Sequence, residues 1–402
     1  MIKVGIIREG KNPPDSRVPL TPVQLKNLKA NSGVEWKVQP SPGRCYKDNE
    51  YESSGITLSE DVSDCQVLMG VKEVPINQLV ANKTYFFFSH TIKEQAYNRS
   101  LLRACVEKNI RLIDYEVLVN EHGQRVIAFG KFAGMVGAHN ALWTWAKRTA
   151  SFDLPRMKDF SEYRDAKAFY RDMNIPPLKI VLTGTGRVAQ GAAMVLEDMG
   201  IEKVSPLNYV SNEFEHPVFT QVNSFYYAKR KDGKVFDSVQ DFYDNPADYD
   251  SDFGHFLPKS DIMINGIYWD NDAPAFFTKE QMRSEKFRIR VISDVTCDIA
   301  PVSSIPSTLK ASTIADPIFG YDVLNEDIVA PHGEGVVDMM TIDNLPNELP
   351  RDASEAFGAM FIDHVLPELL KEKSDMLDKA TICQNGDLGK HFEYLRGYLE
   401  GK

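Results

Sequence analysis

The chain has 402 residues, 43% hydrophobic and 26% charged, enough for buried cores in two domains or slightly more. Its net charge of −11 argues against nucleic acid and anionic membrane as partners, and no apolar run approaches the roughly 18 residues of a membrane span. Cys45, Cys65, Cys105, Cys297 and Cys383 are scattered, odd in number and lack a C-x-x-C pair, which speaks for a reduced, cytoplasmic chain without a disulfide frame or zinc site.

The opening MIKVGII reads as a strand and not as a signal peptide. Residues 1–135 alternate short β-rich runs with helical ones. Ile2–Ile7, Val34–Val38, Cys65–Val71, Thr84–Phe88 and Ile110–Ile113 are the expected strands. Thr21 is the expected cap of a helix opened by Pro22. Strands separated by helices predict a parallel, doubly wound sheet, and such sheets bind ligands beyond the carboxyl ends of their strands. Arg8, Lys72-Glu73, His90 and Glu116 all follow strand ends, which gathers them on one edge.

Ala133–Thr149 is a helical pattern rich in small residues, read as the connection between domains. Residues 151–177 are charged and aromatic and are expected on the surface. LKIVLTGTGRVAQGAAMVLEDMG, residues 178–200, then runs strand, glycine turn, helix. Gly184 supplies the turn, Gly186 lets the backbone approach a diphosphate, and Ala189 stands at the third glycine position of G-x-G-x-x-G. Val188 belongs to the apolar period of the helix, whose first turn, at Arg187, offers N–H groups to an anion. Further strands are expected at Val204–Val210, Asp261–Asn265, Ile289–Ser293 and Ser312–Ala315, a hairpin around Asp232-Gly233, and a helix over Ala353–Leu370.

The strand-end residues suit proton transfer. A lysine in a desolvated place beside other cations drops toward a pKa of about 7–8, which fits Lys72 for acid–base work. His90 needs little tuning for the same task. Arg8, Arg17 and Arg125 are candidates to clamp carboxylates. The bland alternatives are a solvated lysine, a structural histidine, a Glu116 that pairs with an arginine, and an Asp294 that caps a turn instead of touching a ribose. His139, in an apolar neighbourhood, reads as packing. No H-E-x-x-H, Cys/His cluster or G-x-S-x-G occurs, so neither a metal site nor acyl hydrolysis is expected.

The segments VGIIREGKNPPDSRVPLTP, GVKEVP, YFFFSHTIKEQ, RLIDYE, GQRVIAFGKFAG, LTGTGRVAQGA, MINGIYWDNDAP, ISDVTCD and TIDNLPNELPRDASEAFG resemble the lysine-forming saccharopine dehydrogenases. They are most similar to the lysine–2-oxoglutarate reductase half of α-aminoadipic semialdehyde synthase. Alanine dehydrogenase and the soluble part of nicotinamide nucleotide transhydrogenase look like more distant relatives.

The resemblance implies two Rossmann-like doubly wound α/β domains with a cleft between them: a substrate domain of residues 1–140 completed by 345–402, and an NAD(P)-binding domain of 141–344. It implies that saccharopine, NAD or NADP and water give lysine, 2-oxoglutarate and reduced cofactor. Lys72 then matches the acid/base at the secondary amine, His90 the proton shuttle of imine chemistry, and Glu73 and Glu116 the acids that tune them. Arg8, Arg17 and Arg125 match substrate-carboxylate positions. Gly184, Gly186, Arg187, Val188, Gly266, Ile267 and Asp294 match the cofactor site, with Asn208 near the place of the usual ribose-binding acid. The missing acid there permits NADP. The second, saccharopine-oxidising activity of the bifunctional relative is expected to be absent or supplied by a separate enzyme, and the chain to act as a monomer or homo-oligomer. The competing readings are an alanine-dehydrogenase-type enzyme and a non-catalytic NAD(P)-binding module.

Overall fold

Near-continuous apolar runs, as in Val67–Met69 and Thr84–Phe87, give the N-terminal strands two faces to bury. The computed structural model, which describes residues 2–31 and 33–402, covers both faces. The chain forms two units, Met1–Phe129 with Pro350–Lys402, and Gly130–Leu349. In the first, eight strands run in the order Asp387–Leu388, Thr381–Gln384, Arg111–Asp114, Thr84–Phe87, Val67–Met69, Ile2–Ile6, Val34–Val38, Thr57–Leu58. The six from Arg111–Asp114 to Thr57–Leu58 are parallel, and Thr381–Gln384 is antiparallel to its neighbour. Val4, Ile6, Met69, Phe86 and Ile113 face a core shared with Phe357, Phe361 and Val365. Leu68, Tyr85, Phe87 and Leu112 face the other core, with Leu102, Cys105 and Ile382. This is the expected doubly wound arrangement. The terminal strand Thr381–Gln384 extends it, where only a C-terminal helix was expected.

Thr21 caps the helix Pro22–Asn31: its Oγ1 accepts Gln24 N–H at 3.3 Å, and the Gln24 side chain accepts Thr21 N–H at 2.9 Å. The expected helix over Ala353–Leu370 is broken. Pro350–Met360 is α-helical, Phe361–Val365 is a wider turn, and Leu366–Leu369 resumes. Pro367 has no N–H to offer the preceding turn, which forces the local widening.

The second unit also has an eight-stranded sheet. Its order is Asp327–Val329, Ile318–Asp322, Val336–Met340, Val291–Asp294, Ile262–Asn265, Lys179–Thr183, Val218–Val222, Glu202–Lys203. All pairs are parallel except those made by Ile318–Asp322. The small-residue helix starts at Gly130, runs to Thr149, and belongs entirely to this unit, so the division falls at 129/130 and 349/350. It packs backbone to backbone on Arg187–Asp198. A Cβ at Gly134 would lie 1.8 Å from the Val188 carbonyl oxygen, and one at Gly191 would lie 2.0 Å from that of Lys131.

Three expectations are corrected here. Val204–Val210 is not a strand: Ser205 accepts Asn208 N–H at 3.3 Å and Pro206 opens the short helix Pro206–Ser211. The strand beside the glycine-turn strand is Val218–Val222. Asp232-Gly233 does turn, with Gly233 in the left-handed region, but Ala228–Arg230 pairs with Tyr249–Ser251 and not with the residues just after the turn. Ser312–Ala315 makes only a single bridge, from Ser312 to Ile342, while the neighbouring Ile318–Asp322 takes the sheet position.

Candidate active site and dinucleotide site

Parallel strands put their carboxyl ends on one edge, so Lys72 and Glu73, after Val67–Met69, and His90, after Thr84–Phe87, become neighbours. His90 Nδ1 lies 2.5 Å from Glu73 Oε1, and Lys11 Nζ lies 3.0 Å from Glu73 Oε2. Burial alone would raise the Glu73 carboxyl; His90 and Lys11 outweigh it and bring it down to about 2. With Nδ1 engaged, Nε2 is the ring nitrogen turned away from the carboxylate. The Phe88 ring stacks on the imidazole at 6.5 Å between centroids.

His90 itself holds φ 54°, in the left-handed region that non-glycine residues seldom adopt. Its flanks explain how. Asp114, fully buried at the end of its strand, takes the Ser89 backbone N–H at 2.9 Å and the Ser89 hydroxyl at 2.5 Å, and Ser89 Oγ meets Thr91 Oγ1 at 2.8 Å. The Ser-His-Thr turn is thus fastened on both sides of the histidine.

Desolvation pushes the Lys72 ammonium down to about 8; Arg17 and Lys11 add to the fall, while Asp15 and Glu73 oppose it. Arg17 is only 2% exposed and forms a two-point pair with Asp15, Nε to Oδ1 at 3.0 Å and Nη2 to Oδ2 at 2.6 Å, over the Phe129 ring. Glu9 accepts the backbone N–H groups of Val71 and Lys72 at 2.6 and 2.9 Å.

Glu116, Arg125 and Arg8 make ion pairs of their own. Glu116 Oε1 lies 3.6 Å from Arg125 Nη1 and 3.9 Å from Lys93 Nζ, the ion pair with an arginine left open by the sequence. Arg8 pairs with Glu60 and lines a cavity of about 390 Å³ with Gln39, Leu68, Val74 and Tyr85, which shares no residue with the Lys72–Glu73–His90 group. Glu9, Lys11, Asp15 and Asp114 were missed. The available signals were an acid directly after Arg8, charges interleaved in KNPPDSR, and an acid closing the apolar run RLI.

In the second unit Gly184 has φ +95°, and a Cβ there would lie 2.7 Å from the Gly266 carbonyl oxygen. The glycine turn and the Asn265-Gly266-Ile267 turn are therefore packed together. Val188 lies against Gly266, whose added Cβ would sit 3.1 Å from Val188 Cγ1. Nothing stands within 4 Å of a Cβ built on Gly186, so the space before the helix Arg187–Asp198 is open. The Ser224 hydroxyl, buried just past the end of Val218–Val222, has no hydrogen-bond partner among the described residues. An open glycine cradle at a helix N-terminus and an unpartnered hydroxyl at the adjacent strand end both fit a dinucleotide.

Asn208 is exposed on the helix Pro206–Ser211; the residue that follows the adjacent strand is Asn223. Asp294 is 1% exposed and tied to Asn265, Thr296 and Thr308 at 2.9, 2.7 and 2.6 Å. It holds the Asn265 turn in place. Ile267 leads into an aromatic cavity of about 360 Å³ lined by Tyr227, Tyr243, Tyr268, Trp269 and Phe276.

Residues 5–136 match the family model described as alanine dehydrogenase/PNT, N-terminal domain. Mouse (Mus musculus) mitochondrial alpha-aminoadipic semialdehyde synthase is 31% identical over 450 residues, 99% of this chain and 48% of that protein. The lysine-forming, NAD(+) saccharopine dehydrogenase of Yarrowia lipolytica is 27% identical over 382 residues, 91% of each chain. The chain is a homologue of both. It spans about half the length of the semialdehyde synthases it matches. The saccharopine relatives are dehydrogenases by name. In fold, an L-alanine dehydrogenase structure superposes with a TM-score of 0.66 at 15% identity over 99% of both chains. A transhydrogenase from Sinorhizobium meliloti gives 0.58 at 12% identity over 96% of this chain and 99% of the other. Among the described residues no helix is long and apolar enough to cross a membrane.

Proposed function

We propose that the chain is a saccharopine dehydrogenase of the lysine-forming type, an NAD(P)-dependent oxidoreductase acting on a CH–NH group. The observation that carries this reading is the Lys72–Glu73–His90 cluster on the carboxyl edge of a parallel sheet, with the lysine held near the pH at which it can both take and give a proton. The similarity of nearly the whole chain to a lysine-forming saccharopine dehydrogenase and to alpha-aminoadipic semialdehyde synthase supports it.

The nicotinamide ring, when bound, accepts or supplies the hydride. The chain's own residues manage protons and charge. In the direction of saccharopine oxidation, neutral Lys72 takes the proton of the secondary amine, so that the nitrogen lone pair can drive hydride departure from the carbon joining the glutarate and lysine moieties. His90, through Nε2, takes a proton from the water that adds to the imine and returns one as the carbon–nitrogen bond breaks. Glu73 holds the imidazole and stabilises its charged form. Arg17 and Arg125 bring positive charge for substrate carboxylates; Glu116, paired with Arg125, orients it. Gly184, Gly186, Arg187, Val188, Gly266 and Ile267 cradle the dinucleotide, and the aromatic cavity beyond Ile267 offers a flat, apolar place for its base. The residue after Val218–Val222 is Asn223, not an acid, so NADP is admitted beside NAD.

The test is a comparison of NADH and NADPH oxidation with lysine plus 2-oxoglutarate against pyruvate plus ammonia. Lysine-dependent turnover is expected. Turnover with pyruvate and ammonia alone would favour an alanine-dehydrogenase-type enzyme, and binding of reduced cofactor without turnover on any pair would favour a non-catalytic module.

A further inference from the structure

Glu9 takes no part in the proton transfers above, yet it is built into the strand that delivers Lys72. It follows Ile2–Ile6, which pairs in parallel with Val67–Met69 through the register Ile6 with Met69. Past that last ladder pair, Val71 and Lys72 turn their N–H groups to the Glu9 carboxylate, Val71 to Oε1 at 2.6 Å and Lys72 to Oε2 at 2.9 Å. Gly70 makes room for it: a Cβ there would stand 3.3 Å from Oε1, tighter than ordinary contact. One carboxylate therefore uses both oxygens to fix two consecutive peptide groups, the second being that of Lys72.

We propose that Glu9 is the positioning residue of Lys72, clamping its backbone from the neighbouring strand so that the ammonium is held inside the charged cluster and not released to solvent. The inference rests on the reading of Lys72 as the acid/base group. Asp15, Arg17 and Tyr115 face Glu9, and Arg17, Asp15, Lys11 and Glu73 face Lys72. Among the influences on the Lys72 ammonium, burial comes first and Arg17 second; the Glu9 charge is not among the leading ones. Glu9 thus acts on Lys72 through the backbone, by keeping it where burial and Arg17 operate. Holding Glu9 there is itself costly, since burial and Asp15 push its carboxyl up to about 8 against the two N–H groups and Arg17.

The experiment reads Lys72 without turnover. The intact protein is pulsed with an amine-specific acylating reagent across pH 6–11, roughly the span of ordinary and depressed lysine pKa values, and modification of the Lys72 peptide is followed by mass spectrometry. In Glu9→Gln, whose amide can accept only one of the two N–H groups, the midpoint of Lys72 labelling is expected to rise by about one pH unit toward that of an ordinary lysine, a tenfold loss of the neutral amine below the midpoint. Gly70→Ala, which keeps Glu9 but displaces its carboxylate, should move the midpoint the same way by less. A midpoint unchanged in both variants overturns the proposal. So does a fall, which would mean that Glu9 acts as a bare charge. Because labelling needs no substrate, absent lysine-dependent turnover in the wild type would remove the proposed function and leave this result standing.

Discussion

Ser89 gives both of its donors to one oxygen of Asp114, the backbone N–H at 2.9 Å and the hydroxyl at 2.5 Å, and so fastens the residue before His90 to the adjacent strand. A third donor, Glu116 N–H, reaches the other Asp114 oxygen at 2.8 Å. Asp114→Ala strands these buried donors, at a cost of about 3 kcal/mol. It also frees the left-handed turn at His90. Urea unfolding should show the lost stability. Turnover should fall further than the unfolded fraction accounts for, whereas equal losses would mean that Asp114 serves stability alone.

The contact between Glu73 and His90 predicts a second effect. Glu73→Gln keeps the shape of the side chain but removes the charge opposite the imidazole. A hydrogen bond to a charged partner contributes about 1.5–3 kcal/mol, so turnover should fall roughly 10- to 100-fold. Dinucleotide affinity, measured by fluorescence titration, should not move, because the glycine turn lies in the other unit.

Lys72, depressed to about 8, sets a pH dependence. Saccharopine oxidation needs the neutral amine in the free enzyme. Its kcat/KM should rise with pH and level off above about 8, falling tenfold per unit below that. In the reverse direction the protonated amine is required and the limb inverts. A profile flat between pH 6 and 9, roughly the window around that group, would exclude Lys72 as the titrating residue.

Close helix packing supplies a prediction about stability. The Cβ of Gly134→Ala would fall 1.8 Å from the Val188 carbonyl oxygen, a backbone atom that cannot swing aside. The helices Gly130–Thr149 and Arg187–Asp198 would have to separate, costing about 3 kcal/mol or more. Since Val188 stands beside the glycine turn, dinucleotide binding should weaken along with the melting temperature. Gly186→Ala has no such steric conflict and should leave the melting temperature unchanged.

Much of this was legible in the residues. Short apolar, β-rich runs between helical ones pointed to the first sheet, and strand ends drew Lys72, Glu73 and His90 to one edge. The glycine turn announced the second sheet. What escaped was set by distant contacts. Glu9 and Asp114 stand visibly at strand ends, but the donors they accept across the sheet, from Lys72 and Ser89, lie 63 and 25 residues away. Thr381–Gln384 could not be assigned to the first sheet from its own pattern, since its partner is Arg111–Asp114. The Val204–Val210 error was avoidable: Ser205-Pro206 is a helix start that hydrophobic content overrode. Asn208 therefore lies on a helix, and the residue that follows the strand beside the glycine-turn strand is Asn223. The Arg8 side chain is a case of the same kind. Its place at a strand end is as expected, but its side chain turns to Glu60.

The most direct test of the central claim is the rate of NADH and NADPH oxidation with lysine and 2-oxoglutarate in the wild type, Lys72→Met and His90→Gln, with dinucleotide affinity measured in each. The account predicts lysine-dependent turnover in the wild type, a fall of about 10²–10⁴-fold in each variant, and nearly unchanged dinucleotide binding. Wild-type rates in both variants would contradict it.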